Sequence, residues 1–324
     1  MIFNVATQTN NFVYYCNGEN DSTTLAIFIE NLRTKGFNNF TIEIVGAFKA
    51  NAVLTVDNTG YLPITLDFSK CNRITVVGAF MNVKNVRVVG VSVYHQNNAS
   101  DVDVVTFTAD ESTFDNCVVT GAYRSGTCKA FVVSRSRLRE CTVDVTNNDG
   151  AITGISGNDN VVTDCKVSVT SETASAYGID VTNSFVTGSK FSGRTNSALT
   201  TTSGNGGIGG GYFANCRFLG FGAMKGQGFF IRGGQWATML NCVFRGYTKD
   251  GSNGWGGGLM GQANEATTVT LFGINCNQVS NEGFSQTKSF ELLNAYGTYS
   301  GTFFTAPNVS TTLTSLGSYN RNRT

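Results

Sequence analysis

The stretch NVVTDCKVSVT (Asn160–Thr170) decides the fold once it is laid beside its neighbours. The chain reads SRLRECTVDVT (Ser136–Thr146) 24 residues upstream and STFDNCVVTGA (Ser112–Ala122) 24 before that, so Cys117, Cys141 and Cys165 are evenly spaced. The column continues downstream through Ser189, 24 residues on, then Cys216, Cys242 and Cys276 at steps of 27, 26 and 34. Upstream, Cys71 lies 46 residues before Cys117, close to two periods. A repeat of this length marks a solenoid, in which each coil packs on its neighbours.

The flanking columns define the kind of solenoid. Three positions before the cysteine stand Phe114, Leu138, Val162, Val186, Phe213 and Met239; two after it stand Val119, Val143, Val167, Phe191, Phe218 and Phe244. Mostly polar residues separate them, which is the period-two alternation of strands with one buried face. A preceding strand repeats an inward column of Phe107, Phe131, Ile155 and Ile179. Short strands with no helical period between them predict an all-β, single-stranded, right-handed parallel β-helix of about 24 residues per rung over residues 37–288. Composition agrees: 38 glycines and 2 prolines among Val, Ile, Thr, Phe and Asn make a strand-rich, turn-rich chain.

These repeats resemble the pectin-lyase-like superfamily, which includes pectate lyases, polygalacturonases and the tailspikes of bacterial viruses. The resemblance is one of repeat pattern over roughly residues 20–300; it implies a fold and is weak for function. NDSTTLAIFIENLRTKG (Asn20–Gly36) supports it, with Leu25, Phe28, Ile29 and Leu32 on one helical face. Asp21 or Ser22 is the expected cap and Gly36 the expected stop. The helix, in an N-terminal segment 1–36, is similar to the one that opens many viral tailspike coils and covers their apolar end. Residues 289–324, rich in Thr, Ser and Tyr, are expected to form a C-terminal cap or oligomerisation segment.

The cysteines themselves promise little chemistry. Stacked rungs lie about 4.8 Å apart, beyond the separation of about 3.8 Å that a disulfide wants between Cβ atoms. Nine cysteines with no C-x-x-C and a single histidine argue against a closed disulfide framework or a zinc site. The column reads as reduced thiols used as small buried hydrophobes, and no metal or cofactor is expected.

Chemistry is therefore sought on the outward columns. Six positions before the cysteine stand Glu111, Arg135, Asp159 and Asn183, an expected surface ion ladder, with Asp115 beside Arg139 repeating the theme. The catalytic candidates are Asp101, Asp103 and Asp180, the last outward with Thr108, Val132 and Ser156. The N-T-D, D-D and G-H-G elements of polygalacturonases are absent, as is a calcium-binding acid cluster of the pectate-lyase kind. Tyr94, Tyr123, Tyr177, Trp236 and Trp255, with Tyr247, are candidates for stacking on sugar rings. The glycine runs of residues 203–212, 225–234 and 253–258 lack the G-K-[ST] of a phosphate loop and are expected to serve tight turns or the close approach of a neighbouring chain.

A net charge of +1 gives no reason to expect nucleic acid, and no apolar run is long enough to span a membrane. The opening MIFNVATQTNNFVYYCNGEND has no basic stretch followed by an apolar core, so no secretory signal is expected. Together with the resemblance, these features lead to the expectation of a bacteriophage virion protein. It would be a homotrimeric tail spike or fibre, made in the host cytoplasm, joined to other tail proteins and contacting host surface polysaccharide. The alternatives are a polysaccharide depolymerase of the same fold, hydrolase or lyase, and a purely architectural virion component.

Overall fold

The computed structural model describes residues 10–76, 78–96, 103–199, 201–232 and 235–248 and, beyond them, the backbone of strands 255–261, 268–272, 275–276, 289–293, 296–297 and 313–315. The chain is a parallel β-solenoid whose strands fall into sheets of 20 and 10. The larger sheet supplies two faces and the smaller a third. One coil runs through Cys128–Ser134 on the first face, Arg137–Arg139 on the second and Thr142–Asp149 on the third. The inward columns read from the sequence are in register, including Phe131 with Ile155, Leu138 with Val162 and Val143 with Val167.

In the coils from Glu111 to Gly188, two corners each turn on a single residue in the left-handed region. Between the first and second faces these are Glu111, Arg135, Asp159 and Asn183, at φ 47° to 57°. Between the second and third they are Asn116, Glu140, Asp164, Asn215 and Asn241, at φ 50° to 55°, with Gly188 at 61°. The polar residue before each cysteine therefore makes a corner, and is not an alternating member of a strand. Asparagine and aspartate tolerate this region best, which accounts for much of both columns.

Inside the first corner lies a buried polar ladder. The backbone N–H of Ser112 donates to Ser136 Oγ at 3.0 Å, that of Ser136 to Asn160 Oδ1 at 3.0 Å and that of Asn160 to Ser184 Oγ at 3.1 Å. Corner N–H groups that turn away from the sheet ladder are thereby satisfied.

The cysteine column follows the second corner. Cys117 and Cys141 are buried, and each thiol donates to the carbonyl two residues earlier, Asp115 and Arg139, at 3.4 Å. Ser189 does the same to Thr187 at 2.8 Å and accepts from Cys165 N–H at 3.0 Å. From Cys117 to Cys242 the position holds a small side chain that can donate. Burial holds the Cys117 thiol well above its ordinary range, consistent with packing and not reactivity. Cys141→Ala should lower stability by about 1 kcal/mol in urea denaturation, and Cys141→Ser by less, because serine keeps the donor.

Two cysteines leave the column. Cys71 pairs with Gly46, while Asn72 and Val91 hold the equivalent places, as the pairing of Ile74 with Val93 and Val93 with Val119 shows. Cys276 is in register with Phe244, two positions past Cys242.

The helix spans Asp21–Thr34 and buries Leu25, Ile29 and Leu32 in the same core as Phe40 and Ile42. Asn20 is the N-cap, not Asp21 or Ser22, and no side chain caps the end. Asp21 is instead a buried hub, its carboxylate accepting from the N–H groups of Asn17 at 2.7 Å, Gly18 at 3.1 Å and Lys49 at 2.8 Å. Gly36 sits beyond the end at φ 86°, as expected of a stop. At the other extreme, Ser289–Leu293 and Leu313–Ser315 continue the parallel pairing of the second face.

Gly209 and Gly211 do turn the chain, at φ 121° and 141°, but other glycines of the runs have a different cause from the expected one. In lower coils two columns carry Val145 and Val169 on the third face and Ile152 and Ala176 on the first, and all are buried. Higher up the same columns become Gly193 and Gly220 on the third face and Gly204 and Gly226 on the first. A Cβ on Gly204 would lie 1.8 Å from Phe221 O, and one on Gly220 1.8 Å from Gln227 O. The glycines let two walls of one coil meet backbone to backbone; the close neighbour is the same chain.

Candidate functional site

A groove of about 470 Å³ opens on the outer side of the first face. Two outward rows line it: Thr55, Asn82, Thr108 and Val132, and beside them Asp57, Lys84, Asp110 and Ser134. Strand alternation turns all of them outward, and parallel register stacks each row along the coil axis. Arg135, at the corner, closes the edge. It ion-pairs with Asp110 and, at 3.2 Å, with Glu111.

The carboxylates differ in their surroundings. Asp57 accepts from Thr59 Oγ1 at 2.6 Å and Thr59 N–H at 2.9 Å, and these bonds hold its carboxyl below the usual range. Asp110 gives Oδ2 to Arg135, while its Oδ1 is buried without a hydrogen-bond partner. The groove thus presents charges of alternating sign and hydroxyls, a set suited to a ligand rich in hydroxyl groups.

The expected ladder forms only in part. Asp159 makes no ion pair with Arg135; Asn183 Nδ2 donates to it at 2.5 Å and Asn158 Nδ2 at 2.6 Å, and these bonds lower its pKa. Asp115 does lie between cations, at 2.7 Å from Arg87 and 3.0 Å from Arg139.

Of the catalytic candidates, Asp103 and Asp180 are not brought together. Asp101 lies outside the described residues. Asp103 sits at φ 53° and accepts from Thr127 N–H at 2.6 Å, bracing the turn of the next coil. Asp180 is outward, as expected, but ion-paired with Arg232 at 3.1 Å. That arginine reaches across the glycine coil from a segment whose Gln235 also bonds Thr182 at 3.0 Å.

Among the aromatics, Trp236 is 45% and Tyr247 44% exposed, and Tyr177 is half-buried on the first face. Tyr94 lies on the third face with the Arg73 guanidinium 4.5 Å above its ring. The side chain of Trp255 lies outside the described residues. Tyr123 must be withdrawn as a surface residue. It is fully buried, its hydroxyl 2.7 Å from Thr106 Oγ1, which is in turn 2.6 Å from His95 Nε2. This interior chain pairs the Tyr123 hydroxyl, Thr106 Oγ1 and His95 Nε2 with one another. Burial pushes the His95 pKa down to about 4, so the ring is neutral near pH 7.

Sequence reasoning missed the groove row and a surface stack of Phe185 on Tyr212, with centroids 4.6 Å apart and planes within 3°. Phe185 immediately precedes Val186 of an inward column, and that alternation was the available signal. The spacings from Asp57 to Lys84 and Asp110, 27 and 26 residues, follow no fixed period. No protein-family model matches the chain, and no curated protein matches its sequence.

Proposed function

We propose that the chain is a tail spike or fibre protein of a bacteriophage, binding host surface glycan through the first-face groove. The observation that carries this reading is the groove's combination of hydroxyls and charges of alternating sign on stacked rungs. A sugar supplies hydroxyl donors for the groove carboxylates and acceptors for Lys84 and Arg135. The solenoid and its helix-covered end suit an elongated spike, and a homotrimer is the assembly expected in sedimentation analysis.

Binding of the purified protein to host surface polysaccharide tests the reading. Arg135→Ala and Asp110→Asn should each weaken it about tenfold. Unchanged binding in both variants, or no binding by the intact protein, would overturn it. Depolymerisation is the second reading, because Asp57 and Asp110 are two rungs apart, about 10 Å at the strand spacing and near the upper end for an inverting pair. New reducing ends in the same assay, lost in Asp110→Asn, would favour it over binding alone.

A further inference from the structure

We infer that the third face carries a second binding surface, for an anionic polysaccharide lying along the coil axis. Lys166, Lys190 and Arg217 stand in one outward column in direct register, one per rung. All three are exposed, and among the described residues none forms an ion pair. Stacked strands bring like charges to about 4.8 Å, an arrangement that is unfavourable unless an anion intervenes.

Elsewhere stacked cations are bridged or met by carboxylates. Asp115 separates Arg87 from Arg139 on the second face, and Glu43 meets Lys70 at 2.6 Å. Here the neutralising residues are missing from the chain itself: between Asp180 and Asp250 there is no carboxylate but seven lysines and arginines. The acids at the lower end of the stripe are placed elsewhere. Asp164 folds over the next corner, where a Cβ on Gly188 would lie 2.2 Å from its Oδ1, and Glu172 accepts from Asn196 at 2.8 Å. Asp144 lies in the neighbouring outward row, two rungs below Ser192.

The rest of the face fits a sugar polymer. Arg194 shares a strand with Lys190, and the next two rungs in its row carry Phe221 stacked on Tyr247 at 5.2 Å. An aromatic platform beside a cation stripe supports a sugar ring and binds the acidic group it carries. Nucleic acid is the poorer match, because the chain as a whole is nearly neutral and the stripe only three cations long. This surface is on a different face from the groove and does not depend on it.

Affinity electrophoresis of the full chain through gels containing hyaluronan, dextran sulfate or unmodified dextran tests the proposal. Both polyanions should retard the protein, dextran should not, and added salt should abolish the effect. The double variant Lys190→Thr/Arg217→Thr should bind the polyanions about tenfold more weakly, with a shallower salt dependence. Threonine already occupies this column at Thr142, so the coil accepts it. Lys35→Thr/Lys49→Thr makes the same change in net charge far from the stripe and should behave as the unmodified protein. Equal retardation of the stripe variant and the unmodified protein would overturn the proposal. So would tighter binding of a thymidine oligonucleotide than of either polyanion, which would reassign the surface to nucleic acid. Groove variants should leave this retardation unchanged, which keeps its failure separate from failure of the groove reading.

Discussion

Gly220→Ala is expected to destabilise the upper coils by about 3 kcal/mol or more, at the top of the range for overpacking a core. The added methyl would lie 1.8 Å from Gln227 O and 2.4 Å from Gly204 O, and both are backbone atoms of the facing wall. No rotamer change relieves such a contact, so the first and third faces must separate and the strand ladder must move with them. Gly36→Ala is the control. Its Cβ meets nothing within 4 Å, and only its φ of 86° is unfavourable, a cost of about 1 kcal/mol. Because each coil rests on its neighbours, hydrogen exchange should show the loss of protection concentrated around residues 193–247 while the coils near Phe107 and Phe131 remain protected.

Stability should fall by about 3 kcal/mol between pH 6.5 and pH 4 through His95 alone. The folded protein holds this imidazole neutral down to about pH 4, whereas the unfolded chain protonates it near 6.5. A lowered histidine pKa means that the unfolded state binds the extra proton first. The stabilisation is complete above pH 6.5, declines as pH falls, and is gone below about 4. Desolvation is the cause, for the ring lies inside the coil against Tyr123, with centroids 4.4 Å apart and Nδ1 unpartnered. Urea midpoints of the protein and of His95→Gln, compared across this range, isolate the effect from carboxylate titration. Parallel pH profiles would contradict it.

The legible part of the fold was the part with a constant corner. From Cys117 to Ser189 the rungs keep a spacing of 24 residues because single left-handed residues turn the chain at two corners. Columns such as Phe114–Leu138–Val162 then align by simple counting. Upstream, where the pairing of Glu43 with Asp67 and Val45 with Lys70 contains an irregularity, counting placed Cys71 one position away from its true partner. The groove was hidden for the same reason, since Asp57, Lys84 and Asp110 become neighbours only through register. Tyr123 was misplaced because its strand reads GAYRSG (Gly121–Gly126), with the polarity of a turn. Nothing local reveals that Thr106 and His95 wait inside to satisfy its hydroxyl. The glycine walls were hidden because a glycine does not disclose which backbone approaches it.

The corner before the cysteine column repeats from Asn116 to Asn241 without gaining or losing a residue, while the other two corners absorb every change in coil length. It therefore acts as a straight spine against which whole coils can be counted. A duplication or deletion running from one cysteine to the next adds or removes one complete storey, about 4.8 Å of rod, and leaves every inward column continuous. Length in this architecture is an integer. A lineage could lengthen or shorten such a rod by exchange between structurally equivalent rungs without redesigning its interior.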